Sequence, residues 1–195
     1  KEIIVVDGHS TDNTSQIARE TKTKYLLDHG LGRGDGVRTG LAKASAKVVV
    51  LFDADGSHEA TDIPGFVLPI VQGRADVVIG SRRTGGSFDL NMDFSGILRS
   101  GGDDFLTYLV NRKFHTKLSD ILYSFRAVRR SVVPKLELKS DDFGIEQEMV
   151  VKCLAKGLRL LEIPSREKAR AWGKSKLKTI MGVKFVWELV RQLYL

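Results

Sequence analysis

Short runs of β-branched and other apolar residues alternate with helix-like segments along this chain, and no other feature constrains its fold as strongly. The strand-like runs lie at 3–6, 25–27, 47–52, 75–79, 123–128 and 158–163. Alternating strands and helices are typical of βαβ units built around a mostly parallel sheet. Runs that are apolar throughout are typical of strands covered on both faces. The pattern therefore predicts an α/β fold.

Helical patterns and one long loop fill the intervals between these strands. The predicted helices lie at 13–22, 37–44, 63–71, 105–114 and 145–156. Asn13 and Gln16 have the spacing of a capping box, and we expect them to begin the first helix. Residues 80–104 hold six glycines and show little periodicity, which predicts a long functional loop.

Size and charge limit the classes of protein that remain. A chain of 195 residues, 42% of them hydrophobic, is suited to a single domain, and Cys153 alone cannot form an intrachain disulfide. The net charge of +7 indicates an anionic partner, either nucleic acid, anionic lipid or a phosphorylated substrate. We expect one domain, 1–195, with an α/β core in 1–165 and a basic amphipathic segment in 166–195.

The most specific motif is Asp53-Ala54-Asp55, which directly follows the predicted strand 47–52. Alternate side chains of an extended segment share a face, so both carboxylates can point toward one ion. Carboxylate oxygens suit hard cations such as Mg²⁺ or Mn²⁺, and open α/β sheets bind ligands at the carboxyl ends of their strands. We therefore expect a divalent metal site, in preference to the alternative that residues 53–56 form only a capped turn.

Two features upstream of this motif are less specific. Asp7 ends another predicted strand, and its carboxylate suits either a nucleoside or the cap of the next helix. The glycine-rich loop at 30–36 matches neither the dinucleotide-binding nor the P-loop fingerprint. It predicts only that its backbone and Arg33 approach a ligand closely.

Cationic side chains accompany the later predicted strands. Guanidinium and ammonium groups beside a divalent ion stabilise a departing pyrophosphate. The candidates for this role are Arg82, Arg126, Arg170 and Lys176.

Three further polar residues near these motifs carry weaker signals. Glu146 and Glu148 begin a predicted helix and suit either a sugar hydroxyl or the helix dipole. His58 lies close to the Asp pair, and we interpret it as a turn histidine.

Taken together, these motifs resemble those of inverting family 2 glycosyltransferases with the GT-A fold. Residues 5–14 resemble the family's V-V-D-D-G-S-x-D-x-T segment, and residues 51–58 resemble its D-x-D metal motif as found in dolichol-phosphate mannose synthases. Further matches follow in the family's order at 80–82, 120–126, 146–148 and 170–176. The match starts at the family's second strand, so we expect the first strand of the fold to be missing from this chain.

The resemblance implies a Rossmann-like sheet flanked by helices and a metal-dependent reaction. A hexose would pass with inversion from a nucleotide sugar, GDP-mannose or a UDP-sugar, to a polyprenyl or dolichyl phosphate. Because a phosphate monoester has a second pKa near 6, the acceptor would attack without a general base. By position, Asp7 would contact the nucleoside and Mg²⁺ or Mn²⁺ would bind Asp53 and Asp55. The phosphates would bind Arg82, Arg126, Arg170 and Lys176, and the expected catalytic residues are Asp55, Asp120 and Arg170.

Two other classes of function compete with this interpretation. Residues 51–57 also fit the first motif of haloacid-dehalogenase-type phosphatases, with Asp53 as nucleophile and Asp55 as acid/base. However, that motif normally opens its domain, whereas two βα units precede it here. A basic nucleic-acid-binding domain would explain the charge, but no recognition motif of that class is present. We therefore expect no nucleic-acid partner.

Most of the positive charge lies near the end of the chain. Residues 166–191 hold eight basic and two acidic residues and run into a stretch that contains Phe185, Trp187, Leu189, Val190 and Leu193. The residues of this stretch are too often charged for a membrane span. We expect the segment to dock on an anionic membrane where a lipid phosphate is presented, which would make the protein cytoplasmic and peripheral to the membrane.

Overall fold

The computed structural model describes residues 1–87, 94–172 and 181–194. Within these ranges the chain forms six strands, β1 Ile4–Asp7, β2 Lys24–Leu27, β3 Val48–Leu51, β4 Val77–Ser81, β5 Arg126–Arg129 and β6 Leu160–Pro164. The α-helices of the same ranges are α1 Thr14–Glu20, α2 Arg33–Lys43, α3 Ile63–Val71, α4 Arg82–Gly85, α5 Phe94–Phe114, α6 Val133–Leu136, α7 Ile145–Ala155 and α8 Met181–Tyr194.

The strands form two sheets. β1 and β2 pair in parallel, and a four-stranded sheet has the order β3-β5-β4-β6. β4 and β6 are parallel, whereas β5 is antiparallel to both β3 and β4. The α/β architecture is therefore confirmed, with β5 as the one strand of the larger sheet that runs against the others.

Helices cover both faces of the larger sheet, because its strands alternate apolar side chains between them. Val77 and Ile79 face a core that includes residues of α5, α7 and α8. Val78 faces a smaller core around Phe66 and Ile70 of α3. The buried strand β4 is thus apolar on both sides, as its sequence predicts.

Two helices begin differently from the sequence predictions. Residues 94–104, predicted as part of a long loop, form the first half of α5. Glycine, serine and aspartate dilute the helical pattern there, while Asp103, Leu106 and Val110 form a buried stripe at helical spacing. The predicted capping box is wrong: Asn13 makes no side-chain cap, and Asp12 accepts the N–H of Thr14 instead.

The helix α8 is the amphipathic stretch that the sequence predicts, and three of its apolar side chains are turned away from solvent. Phe185, Leu189 and Leu193 are buried in the larger core, and α8 packs on α5 and α7. The protein's own core therefore covers the face that holds Phe185, Leu189 and Leu193, whereas Trp187 of the same stretch is 63% exposed. The predicted docking of this segment on a membrane stays a prediction. Among the described residues, we find no helix with the length and apolar character needed to cross a membrane.

Candidate active site

The direction of β5 decides which side chains meet at the carboxyl edge of the sheet. Leu51 at the end of β3 and Ile79 near the end of β4 both pair with Arg126, the first residue of β5. The residues that precede β5 therefore lie at the same edge as those that follow β3 and β4. This arrangement brings Ser124 to Asp53 and brings Asp120 to Arg82.

Asp53 is held by partners from distant parts of the chain. Its Oδ1 accepts a hydrogen bond from Arg33 Nη2 at 2.9 Å, and its Oδ2 accepts one from Ser124 Oγ at 2.8 Å. Burial is the largest influence and raises the pKa of this carboxyl, but neighbouring charges, above all that of Arg33, and the hydrogen bonds from Arg33 and Ser124 together hold the pKa below its ordinary value. Asp53 is therefore an ionised, hard oxygen donor at neutral pH.

Asp55 is held mainly by its own turn. Its Oδ1 accepts hydrogen bonds from the Ser57 N–H at 3.0 Å and from Ser57 Oγ at 2.6 Å, and its Oδ2 lies 3.3 Å from Arg170 Nη1. The segment that carries Arg170 lies along this turn, because the N–H of Ala171 donates to the Asp55 carbonyl at 2.8 Å. The approach is close: Gly56 has φ +80°, and a Cβ there would lie 2.9 Å from Trp172. Glycine is required at this position.

Arg33 joins two parts of the site that the sequence keeps far apart. Besides Asp53, it donates from Nε to Glu146 Oε1 at 2.7 Å. The neighbouring carboxylates raise the pKa of Arg33 despite its burial, so it stays a cation. Glu146 is thus an ion-pair partner at the start of α7, whereas Glu148 accepts the N–H groups of Lys139 and Ser140 and supports the preceding loop.

His58 lies in the bend that follows the Asp55 turn, as expected of a turn histidine, but its ring is buried beside Asp53. Only 6% of its surface is exposed, and its ring stacks on Phe125 with 4.9 Å between centroids. Burial lowers the pKa of His58, and the charges of Asp53 and Asp55 only partly oppose this. No local pattern identifies such a residue, since its packing partner Phe125 is distant in the sequence.

We call Asp53, Asp55, Arg33 and Arg170 the Asp53 cluster. Its two carboxylate side chains are 24% and 18% exposed, so both reach solvent. No group of three His, Cys, Asp or Glu side chains gathers to hold a metal within the ranges that the structure describes. Two carboxylates nevertheless fit Mg²⁺ or Mn²⁺, because such ions commonly use one or two protein carboxylates and complete their shell with water and substrate phosphate. The donor set of this cluster therefore fits the predicted metal.

A second group, which we call the Arg82 cluster, contains Arg82, Asp103 and Asp120. Arg82 donates from Nε to Asp120 Oδ2 at 2.7 Å and from Nη2 to Asp103 Oδ2 at 3.0 Å. The carboxylate of Asp120 is fully buried, and it also accepts the N–H groups of Leu122 and Tyr123. Asp120 is therefore placed to position Arg82, not to touch a substrate, which corrects its predicted catalytic role. A phosphate on Arg82 would compete with carboxylates already in place.

Two other predicted site residues, Arg126 and Asp7, lie apart from both clusters. Arg126 is fully buried and donates to the carbonyls of Tyr123, Glu146 and Ile121, so the prediction that it binds phosphate is wrong. Asp7, at the end of β1, accepts hydrogen bonds from the Ser10 N–H and the Tyr25 hydroxyl.

Lys176 lies outside the described residues. Its predicted contact with phosphate stays a prediction.

Solved structures resemble this chain over almost its whole length. Glucosyl-3-phosphoglycerate synthase from Mycobacterium tuberculosis, solved with Mn²⁺, uridine-diphosphate-glucose and phosphoglyceric acid, superposes with a TM-score of 0.77 at 19% identity. The superposition covers 99% of this chain and 69% of that one. At this identity the likeness establishes the GT-A fold.

Two other proteins are similar to this chain in sequence over almost its whole length. An uncharacterised protein of Methanocaldococcus jannaschii is 30% identical over 98% of this chain and 81% of its own length. The dolichol-phosphate mannosyltransferase of Pyrococcus furiosus is 34% identical over 99% of this chain, which spans 54% of that enzyme.

The model of the family described as glycosyl transferase family 2 matches residues 1–136. The match favours the glycosyltransferase interpretation over the phosphatase and nucleic-acid alternatives. The chain belongs to glycosyltransferase family 2.

Proposed function

We propose that this protein transfers a hexose from a nucleoside-diphosphate sugar to a polyprenyl phosphate with inversion at the anomeric carbon. The observation that carries the proposal is the Asp53 cluster, in which two solvent-reaching carboxylates at the carboxyl edge of the sheet each pair with an arginine. Such a site offers oxygen ligands to a divalent ion and cationic groups to a diphosphate.

Asp53 and Asp55 would hold the Mg²⁺ or Mn²⁺ ion, which neutralises negative charge on the donor's diphosphate when bound. Arg33 and Arg170 are 25% and 40% exposed, and each reaches its carboxylate through one side of its guanidinium. Both retain N–H groups for phosphate oxygens, because a guanidinium carries five donors. Arg33 stays anchored on Glu146 while it does so.

The transfer step needs no side chain that removes a proton. An acceptor phosphate is largely ionised at neutral pH, so its oxygen attacks the anomeric carbon as an anion. The new bond forms as the bond from that carbon to the diphosphate breaks, and the electron pair leaves with the nucleoside diphosphate. The protein's contribution is the positioning of both reactants and the stabilisation of the leaving charge.

The choice of a lipid acceptor, and with it a cytoplasmic location at the membrane surface, is supported by the segment that crosses the Asp55 turn. Trp172 is 69% exposed and follows Arg170 and Lys168, whose side chains also reach solvent. An exposed tryptophan beside basic residues suits the headgroup region of an anionic membrane. This surface, and not the buried face of α8, would meet the lipid.

The test is a transfer assay with labelled GDP-mannose and UDP-glucose, each offered with polyprenyl phosphate, 3-phosphoglycerate or no acceptor, with and without Mn²⁺. We expect Mn²⁺-dependent transfer to polyprenyl phosphate and an inverted anomer by NMR. Transfer to 3-phosphoglycerate alone would contradict the lipid acceptor. A rate of donor consumption that is the same with and without Mn²⁺ would contradict the metal-dependent mechanism.

A further inference from the structure

A chain of hydrogen bonds leads from a buried histidine to one of the two carboxylates of the Asp53 cluster. The N–H of Asp53 lies 3.2 Å from His58 Nδ1, His58 Nε2 lies 3.2 Å from Ser124 Oγ, and Ser124 Oγ lies 2.8 Å from Asp53 Oδ2. The contacts form a closed ring that begins and ends on Asp53.

The direction of each hydrogen bond follows from the chemistry of the donors. A backbone N–H can only donate, so His58 Nδ1 must accept, and the neutral imidazole carries its proton on Nε2. The Nε2–H group therefore donates to Ser124 Oγ. The single hydroxyl proton of Ser124 is then directed to Asp53 Oδ2.

The surroundings leave His58 little freedom to adopt another arrangement. Its ring is stacked on Phe125, and the rings of Phe52 and Tyr123 meet it edge-on with centroids 5.3 Å and 5.2 Å away. An imidazole fixed in this way holds the hydroxyl of Ser124 in one rotamer. Oδ2 of Asp53 is thereby fixed by Ser124 while Oδ1 is fixed by Arg33.

We infer that His58 and Ser124 are positioning residues that orient the Asp53 carboxylate for the divalent ion. Their role rests on the proposed function, because Asp53 is a metal ligand only in that account. Groups that orient metal ligands through hydrogen bonds typically contribute a factor of about 10 to 100 in metal affinity. Neither residue needs to touch the ion or the substrate.

The test measures Mn²⁺ binding by electron paramagnetic resonance, with Mn²⁺ alone and with Mn²⁺ plus GDP or UDP. Ser124→Ala removes the hydroxyl, and Ser124→Thr restores it. His58→Asn keeps an acceptor for the Asp53 N–H but cannot reach Ser124, whereas His58→Gln places an amide N–H where Nε2 lies. Both histidine variants remove the stacked ring, and each keeps only one of the two hydrogen bonds of His58, so their comparison shows whether the bond to Ser124 is the one that matters for Mn²⁺ binding.

We expect the Mn²⁺ concentration at half-saturation to rise about tenfold in Ser124→Ala and His58→Asn, and to stay within about threefold of wild type in Ser124→Thr and His58→Gln. The double variant with Ala at 124 and Asn at 58 should be no weaker than either single variant, because both changes break one relay. Thermal unfolding of each variant confirms that the fold is retained.

Two results would overturn this role: unchanged Mn²⁺ binding in a folded Ser124→Ala protein, or equal behaviour of His58→Asn and His58→Gln. The wild-type arm separates this outcome from a failure of the proposed function. A wild-type protein that binds no Mn²⁺ with or without nucleotide would overturn the metal site itself. Normal wild-type binding with unaffected variants would overturn the relay alone.

Discussion

The Asp53 cluster and the Arg82 cluster are built from the same residue types at the same edge of the sheet, yet they differ in what surrounds their carboxylates. Asp53 and Asp55 are about one fifth exposed, whereas Asp120 is fully buried and Asp103 nearly so. Asp120 also accepts backbone N–H groups from its own loop. Aspartates that reach solvent can exchange an arginine for a metal, while a buried carboxylate tied to the backbone cannot do so without disturbing the fold.

This difference in burial indicates that the Asp53 cluster is available for chemistry, whereas the Arg82 cluster stabilises the fold. Burial raises the pKa of Asp120, but Arg82 outweighs it and keeps the pKa low. Asp103 differs: burial and the charge of Asp120 raise its pKa to about 7. The Arg82 cluster thus contains one stable ion pair, between Arg82 and Asp120, and one carboxyl, that of Asp103, whose ionisation is unfavourable. We therefore expect substitutions in the Asp53 cluster to impair metal binding and activity, and substitutions in the Arg82 cluster to impair stability.

The largest effect is expected from Asp55→Asn. This change removes the charge of a proposed metal ligand but keeps the shape and the Ser57 hydrogen bonds, so activity should fall by about 10²–10³-fold while the unfolding midpoint stays near that of wild type. Initial rates of transfer at several Mn²⁺ concentrations measure the effect. Glu20→Gln, on an exposed face of α1, is the control, and an equal loss there would refute the assignment.

The next effect concerns the scaffold beneath both clusters. Arg126→Leu leaves three buried carbonyls without their donor, and we expect the free energy of unfolding to fall by about 3 kcal/mol. Arg130→Leu removes a donor to a single carbonyl, that of Ala44, and should cost about 1 kcal/mol. Urea denaturation of both proteins measures the difference. Equal losses of unfolding free energy in the two variants would mean that the three carbonyls bound by Arg126 do not depend on its guanidinium.

A smaller effect separates the two clusters directly. Asp120→Asn removes the charge that balances Arg82, and we expect a loss of stability of about 2 kcal/mol together with a Mn²⁺ half-saturation within about twofold of wild type. Denaturation and Mn²⁺ titration on the same preparation supply both numbers. A large shift in Mn²⁺ binding with unchanged stability would show that Asp120 contributes to the metal site and not to the stability of the fold.

The last effect, no larger than that of Asp120→Asn, is a pH dependence carried by Asp103. Its folded pKa lies above the unfolded value, so the folded state holds a proton that the unfolded state has lost between about pH 4 and pH 7. The contribution of Asp103 to stability is therefore present at low pH and is lost as the pH rises to about 7. Asp103→Asn should gain about 2 kcal/mol relative to wild type between pH 5 and pH 8. A constant difference across this range, measured by urea denaturation, would contradict the raised pKa.

Sequence reasoning succeeded where the information is local. The strands follow from short apolar runs, and the Asp55 turn follows from a motif whose partner Ser57 is two residues away. It failed where the structure depends on strand direction or on residues that are distant in the sequence. Nothing in residues 123–128 indicates that β5 runs antiparallel to β3 and β4. The glycine-rich start of α5 lacks a helical pattern and depends on tertiary packing.

The candidate site shows the same limit. Asp53 and Asp55 were identifiable because strand-end carboxylates have a chemical meaning on their own. The groups that orient them were not, since Ser124 lies 71 residues from Asp53 and Glu146 lies 113 residues from Arg33. Arg126 carried a motif that suggested phosphate binding, and only its burial reveals that it binds backbone carbonyls.

The central claim is that the Asp53 cluster binds a nucleotide sugar through a divalent ion, and its most direct test is the thermal stabilisation of the protein by GDP-mannose and UDP-glucose with and without Mn²⁺. Ligands that bind only the folded state raise the unfolding temperature. We predict stabilisation by one of these donors that requires Mn²⁺, disappears in Asp55→Asn and persists in Asp120→Asn. Stabilisation that is equal without Mn²⁺, or equal in Asp55→Asn, would contradict the account.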